Sequence, residues 1–173
     1  RWGRDSRKQA AKRLQDFFQK TTGKRPECYE CDDAKVKEFQ YVIAVGKCLH
    51  TDELGLDPDR LPHEGFYVRT FDKGVVIAGM DGFEIPGVMD NFNWRCGRMV
   101  CNGTEHGAVD FAERFMGVRH YGNKDNKTGL DWEVYPKIAD LTIPACAYTD
   151  HPRQRIRALK GQWRTGTSSS FFG

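Results

Sequence analysis

The stretch "NGTEHGAVDFAERFMGVRHYG", residues Asn102–Gly122, carries the clearest structural signal in the chain. Thr104 is a good N-cap residue, and Glu105 places negative charge at the positive end of a helix. Apolar residues then recur at the spacing of one helical face: Ala108, Phe111, Ala112, Phe115 and Met116. Gly117 follows as a helix stop, and Val118–Tyr121 reads as a short strand. The stretch predicts an amphipathic helix that docks on a sheet.

Charged residues within the same stretch invite a metal-binding or acid–base interpretation. They are Glu105, His106, Asp110, Glu113 and His120. Asp110 and Arg114 are spaced as an ordinary i, i+4 ion pair, and His106 has no second ligand on its helical face. The chain contains no H-E-x-x-H motif. We therefore interpret these residues as cap, dipole partner and solvated face, and predict no catalytic residue, no metal ligand and no cofactor here.

Outside this stretch the chain shows a first helix and a buried strand. Residues 6–22 have apolar side chains at helical spacing, with Ser6 as the expected N-cap and Gly23 as the stop. The segment "QYVIAVG" (Gln40–Gly46) is short and nearly all apolar, which is typical of an interior strand covered on both faces.

The remaining segments complete an α+β pattern. "GFYVRTFD" and "GVVIAGMD", joined by Asp72-Lys73-Gly74, predict a hairpin. Residues 80–103 look irregular, and "DWEVYP" and "DLTIPAC" are further strand candidates. We predict an α+β fold, a mixed sheet with two main helices packed on one face. Residues 1–150 would form the domain, and 151–173 a linker or the start of a following domain.

Composition excludes some function classes. The 173 residues carry a net charge of +3, and their Lys and Arg are spread along the chain, so no nucleic-acid partner is predicted. No apolar run approaches the roughly 20 residues of a membrane span. A signal peptide is not recognisable, but the sequence starts without Met, which leaves export open.

Six cysteines leave several alternatives. Cys28-x-x-Cys31 and Cys96-x4-Cys101 suggest a zinc site, although the second pair and the distance between the pairs have unsuitable spacing. A thioredoxin-like redox role for the first pair is disfavoured, because that motif sits at a strand-to-helix junction. In an exported protein we expect a disulfide, with Cys96–Cys101 as the first choice. Free buried thiols are the other alternative.

Four ordered segments resemble a known kind of domain. They are "AAKRLQDFFQKTTGKRP", "YVIAVG", "LGLDPDRLPHEGFYVRTFDKGVVIAGMD" and "GTEHGAVDFAERFMGVRHYG". Together they are similar to the N-terminal α+β domain that precedes the catalytic barrel in α-glucuronidase-type glycoside hydrolases. The related domains of β-N-acetylhexosaminidases and of bacterial polysaccharide-utilisation proteins are also similar. The likeness covers about residues 8–150 and is strongest at Gly103–Tyr121.

The resemblance implies a fold like the second domain of hexosaminidases, zincin-like but without zinc. It implies a non-catalytic accessory domain of a carbohydrate-active enzyme, whose partner is the catalytic glycoside hydrolase barrel of the same parent chain. A barrel needs ~200–250 residues, so this chain is expected to be non-catalytic itself. Polysaccharide degradation and a secreted or periplasmic location would follow.

The chain departs from the family pattern before its second main helix. The segment "GFEIPGVMDNFNWRCGRMVCN" is longer than the usual glycine turn and contains Phe83, Phe92 and Trp94. These rings are candidate contacts for a glycan or a protein partner, and burial within the domain is the alternative. A stand-alone glycan- or protein-binding module is accordingly the second functional hypothesis. The sugar, the linkage and the oligomeric state are not predicted.

Overall fold

The computed structural model of the protein describes residues 5–30, 33–83, 100–121 and 133–153. Its α-helices are α1 (Ser6–Thr22), α2 (Leu49–Glu53) and α3 (Gly103–Phe115), and 3₁₀ helices span Ala34–Glu38 and Pro58–Arg60. Its strands are β1 (Val42–Val45), β2 (Phe66–Phe71), β3 (Gly74–Gly79), β4 (Asp81–Phe83), β5 (Val100–Asn102), β6 (Arg119–His120), β7 (Glu133–Val134) and β8 (Ala147–Asp150). The predicted α+β class is confirmed.

Helix α1 has the predicted bounds but a different cap. The Asp5 side chain, not that of Ser6, accepts a hydrogen bond from the Arg7 backbone N–H, at 3.2 Å. Asp and Ser are comparably good caps, so sequence alone did not separate two adjacent candidates. Gly23 ends the helix with φ 76° and donates its N–H to the Gln19 carbonyl, as predicted.

The main sheet has the strand order β1-β3-β2-β8, with β1 parallel to β3 and the other pairs antiparallel. It is therefore mixed, as predicted, and β2 and β3 form the predicted hairpin. Gly74 is required at the start of β3. Its φ is 150°, and a Cβ there would lie 1.8 Å from the Val42 carbonyl oxygen.

The expectation that Gln40–Gly46 forms an interior strand is wrong. Strand β1 is half-buried throughout and pairs only with β3 among the described strands. The interior position belongs to β3, in which Val75–Gly79 are all buried. A short apolar run has the same composition at an edge as in a sheet centre, and only its neighbours decide between the two.

Helices α1 and α3 pack against each other, and α3 lies over β2 and β3. The core that they share with one face of the sheet contains Ala10, Leu14, Phe17, Phe66, Val68, Val75, Ile77, Ala108, Phe111 and Ala112. Val76 and Ala78 alternate with that set and so point to the opposite face. Helix α2 and the second 3₁₀ helix contact β3 and cover it there.

The C-terminal part of the described chain departs from the predicted strands in one place. Strands β6 and β7 pair antiparallel where short strands were expected. "DLTIPAC" (140–146) is not a strand, and β8 begins directly after it; Pro144 cannot donate to a sheet ladder. The division at residue 150 remains a prediction, because residues 154–173 lie outside the described ranges.

None of the helices in the described ranges is both long enough and apolar enough to cross a bilayer.

Candidate functional site at the start of α3

The predicted insertion leaves and rejoins the fold through a small ribbon. Strand β4 pairs antiparallel with β5, with Asp81 opposite Asn102 and Phe83 opposite Val100. The ribbon leads directly into α3. Of the predicted contact residues, Phe83 is placed by its backbone in β4, while Phe92 and Trp94 lie outside the described residues. Their contact with a glycan or partner remains a prediction.

A dense set of hydrogen bonds joins the ribbon, the end of β3 and the start of α3. The Met80 N–H donates to the Gly65 carbonyl at 2.8 Å, and the Gly103 N–H donates to the Met80 carbonyl at 3.0 Å. The Gly79 N–H donates to the Thr104 hydroxyl at 3.0 Å. Because Thr104 is fully buried, its hydroxyl depends on these protein partners rather than on water.

Asp81 provides the cap that the sequence assigned to Thr104. One carboxylate oxygen of Asp81 accepts the Thr104 N–H at 3.0 Å, and the other accepts the Thr104 hydroxyl. The helix begins at Gly103, so Thr104 lies inside its first turn. A carboxylate at a helix N-terminus is stabilised by the unpaired N–H groups and the helix dipole. The predicted role of Thr104 is therefore corrected: it orients Asp81 and β3.

Two glycines allow the close approach of backbone and helix. A Cβ on Gly103 would lie 2.4 Å from the Gly65 carbonyl oxygen and 2.6 Å from the Met80 nitrogen. On Gly107 it would lie 3.0 Å from Cγ2 of Ile77. The "GTxxG" pattern at the start of α3 is thus explained by packing and hydrogen bonding.

These contacts of Gly65, Gly79–Asp81 and Gly103–Thr104 form a joint between β3 and the start of α3. Cys101 lies buried beside this joint. Its sulfur is 3.7 Å from Nδ1 of His63, and the residue is 2% exposed. Burial raises the pKa of the Cys101 thiol, and the nearby carboxylates of Glu64 and Asp81 raise it further. A protonated, buried thiol is a poor nucleophile and a poor metal ligand. Cys96 lies outside the described residues, so the Cys96–Cys101 disulfide remains a prediction.

His106 and Glu64 form a second polar pair at the same place. Nε2 of His106 is 3.4 Å from a carboxylate oxygen of Glu64. Glu64 has a φ of 54°, which is uncommon for a residue with a side chain. The sequence left His106 without a partner, since Glu64 is distant in the chain. This pair, like the Asp81 cap, is an ionisable feature of the site that sequence reasoning missed.

Elsewhere, two other carboxylates on α3, those of Glu105 and Asp110, form ion pairs. Glu105 lies 2.5 Å from Nε of Arg13 on α1, and Asp110 pairs with Arg114 at 2.8 Å. Tyr148 also donates to Asp110, at 2.7 Å. The predicted Asp110–Arg114 pair is confirmed. Throughout the described ranges, no three His, Cys, Asp or Glu side chains are grouped closely enough to hold a metal ion.

A separate polar network lies where β6 and β7 meet α1. Glu133 accepts a hydrogen bond from Tyr135 at 2.5 Å, and lies 3.4 Å from Nζ of Lys20 and 3.2 Å from Nδ1 of His120. The Tyr135 hydrogen bond, with Lys20 and His120 nearby, lowers the pKa of Glu133. Glu133 thus stays ionised and connects the β6–β7 pair to α1. No spacing pattern in the sequence predicts this network, because Lys20 and Glu133 are 113 residues apart.

Comparison of the chain with family models, with curated proteins and with solved structures gave no match.

Proposed function

We propose that this domain is a non-catalytic accessory domain of a carbohydrate-active enzyme, in which it supports a glycoside hydrolase barrel. The observation that carries the proposal is the joint at the start of α3. The residues at the centre of the resemblance, Gly103, Thr104 and Gly107, are the ones whose small size or hydroxyl group this joint uses. A motif used for packing suits a supporting domain.

The ionisable side chains within the described ranges are consistent with that role. Asp81 caps α3, Glu105 and Asp110 pair with arginines, and Glu133 joins a strand to α1. Each of these four carboxylates therefore has a structural partner that holds its charge. Glycoside hydrolysis instead uses two carboxylates on either side of a bound sugar, ~5–9.5 Å apart. We assign that pair to a partner domain, and propose a secreted or periplasmic location for the whole enzyme.

The coding sequence on both sides of residues 1–173 tests this proposal. We expect it to encode a (β/α)₈ barrel with two carboxylates at the C-terminal ends of its strands. The barrel, expressed together with this domain, should release sugar from a polysaccharide. Flanking sequence that encodes no glycosidase would overturn the proposal.

A stand-alone binding module is the second candidate, and exposed aromatic residues favour it. Phe39 is 40% exposed and Tyr41 is 70% exposed. Isothermal titration against a glycan panel, with light scattering to measure mass, tests this second candidate. A monomer that binds no glycan would contradict this second candidate.

A further inference from the structure

Strand β1 has the composition of an interior strand but lies at an edge of the described sheet. Its residues, Val42–Val45, are all apolar, and among the described strands it pairs only with β3. Natural edge strands are usually protected by charged residues or by proline. The opposite edge strand, β8, has this protection, because it ends at Asp150 and Pro152 follows closely. Val42–Val45 contain neither kind of residue, so the outer edge of β1 is suited to pairing with another strand.

Both faces of β1 are partly covered. Ile43 and Val45 pack against the core beneath α1 and α3. Val42 and Ala44 alternate with them and point to the other face of the sheet. All four side chains are half-buried. Burial on both faces is the environment of a parallel strand inside a sheet, which leaves the edge of β1 as its open side.

The backbone N–H groups of β1 alternate between its two edges. The Val42 and Gly46 N–H groups each donate, at 2.8 Å, to a carbonyl in or directly before β3. Ile43 and Val45 alternate with this set, so their N–H groups point to the outer edge. An edge strand that presents such groups is a template on which a further strand can pair.

Helix α1 begins beside the C-terminal end of β1. A Cβ on Gly46, the residue after β1, would lie 2.4 Å from Cγ of Arg7 in the first turn of α1. A strand parallel to β1 would finish at this same end of the sheet. Connections from a strand to a helix are usually about 2–6 residues long, so such a strand could lead directly into the Asp5 cap of α1.

The handedness of crossover connections favours the open side of β1 for such a strand. Strands β3 and β8 are both antiparallel to β2, so they run in the same direction, and α3 lies between them in the chain. Connections of this kind are right-handed in about 98% of cases, and this one crosses the sheet away from β1. Helix α1 covers the same face as α3. A right-handed connection through α1 must cross in the same direction, and therefore starts beyond the outer edge of β1.

We propose that a strand encoded upstream of residue 1 pairs in parallel with the outer edge of β1 and leads into α1. The four-stranded sheet gains a fifth strand, and β1 becomes an interior strand. The core-facing side chains of the new strand are apolar, because they extend the surface of Ile43 and Val45 beneath α1. A second copy of the chain could also pair with β1, but it would not use the position of the start of α1. The inference goes beyond the accessory role and does not depend on it.

Hydrogen exchange of single backbone amides, followed by NMR, tests the proposal. The two proteins compared are residues 1–173 and the natural chain extended by about 15 upstream residues, enough for a strand and a short loop. We expect the Ile43 and Val45 amides to exchange rapidly in residues 1–173 and at least about tenfold more slowly in the extended chain.

The Thr149 amide is the control within the same molecule. The Cys146 carbonyl accepts the Thr70 N–H of β2, so Thr149, three residues later, points to the outer edge of β8. Its exchange should differ by less than about twofold between the two proteins.

Proline and alanine substitutions in the upstream strand provide a second test within the extended chain. Proline cannot donate a hydrogen bond to a sheet, so it should restore rapid exchange of the Ile43 and Val45 amides, whereas alanine at the same position should not. Two adjacent positions are compared, because only every second N–H points to β1. If residues 1–173 do not fold without the extension, this pair of variants decides the question.

The outcomes separate this proposal from the proposed function. Slow exchange of Ile43 and Val45 in residues 1–173 would overturn it, because the edge would then be covered by this chain or by a second copy. Light scattering distinguishes these two cases. Rapid exchange in the extended chain would overturn it too. Neither result bears on the accessory role, which depends on a barrel encoded beside the domain.

Discussion

At the residue scale, the joint at the start of α3 depends on one buried hydroxyl. Thr104 connects β3 to the Asp81 cap through the hydrogen bonds of its fully buried hydroxyl group. The sequence identified Thr104 as a capping residue because Thr before an apolar stripe is a helix-start signal. It did not identify Asp81, since a cap from 23 positions upstream leaves no local pattern.

We predict that Thr104→Val destabilises the fold by about 1–3 kcal/mol, because it leaves the Gly79 N–H and one Asp81 oxygen without a buried partner. Urea unfolding followed by circular dichroism measures the change. Thr149→Val in β8 is the control, since Thr149 is exposed and its replacement should change stability by less than about 0.5 kcal/mol. Equal effects at the two positions would contradict the role of Thr104.

Gly103 should tolerate a side chain less well than Gly23. Gly103→Ala places a Cβ against backbone atoms of Gly65 and Met80, which cannot move without opening the joint. Gly23→Ala meets no atom within 4 Å and costs only its left-handed conformation, about 1 kcal/mol. Thermal unfolding should rank the variants in that order. A Gly103→Ala protein as stable as Gly23→Ala would show that the joint is not closely packed.

Cys101 should react with alkylating reagents only after unfolding. Its burial and raised pKa both keep the thiolate population small, whereas Cys28 is exposed. Iodoacetamide labelling of the native protein at pH 8, read by peptide mass spectrometry, should modify Cys28 and leave Cys101 unmodified. Labelling after unfolding without reductant then distinguishes a free thiol from the predicted bridge to Cys96. Rapid native labelling of Cys101 would contradict its buried position.

At the scale of elements, the sequence predicted helices better than strands. The bounds of α1 and the glycine stops at Gly23 and Gly117, with φ of 76° and 65°, were readable from local signals. The edge position of β1 was not, because it depends on which strand pairs beside it. The network around Glu133 was likewise invisible, since it joins α1 to a ribbon more than 100 residues later.

The Glu133 network should make stability depend on pH. Folding lowers the pKa of Glu133 below its usual value of 4.5. The stabilisation of the folded state by the ionised carboxylate is therefore complete above pH 4.5 and is lost as the pH falls through the folded pKa. Glu133→Gln should therefore cost about 1 kcal/mol at pH 7, given a partly exposed site, and less at pH 3. Urea unfolding between pH 3 and 7 measures this difference.

Asp140→Asn serves as the control for the loss of one negative charge, because Asp140 is exposed. If Glu133→Gln and wild type differ by the same free energy at pH 3 and pH 7, the ionised network is not what stabilises the ribbon.

At the scale of the whole molecule, we propose that this domain supports the fold of a larger enzyme and that the chemistry belongs to a partner domain. Periodicity and turn residues were sufficient for the α+β class and for the pairing of β2 with β3. They were insufficient for function, because the candidate aromatic residues of the insertion and the exposed residues Phe39 and Tyr41 have similar local sequence character. The exposure of Phe39 and Tyr41 is a property of the folded chain.

The most direct test of the accessory role is sugar release, measured side by side for this chain and for the longest polypeptide that its gene encodes. Both would be assayed on the same panel of polysaccharides and aryl glycosides. We predict release by the longer polypeptide and none by residues 1–173 alone. Glycoside hydrolysis by residues 1–173, abolished by replacing a carboxylate of this domain, would contradict it.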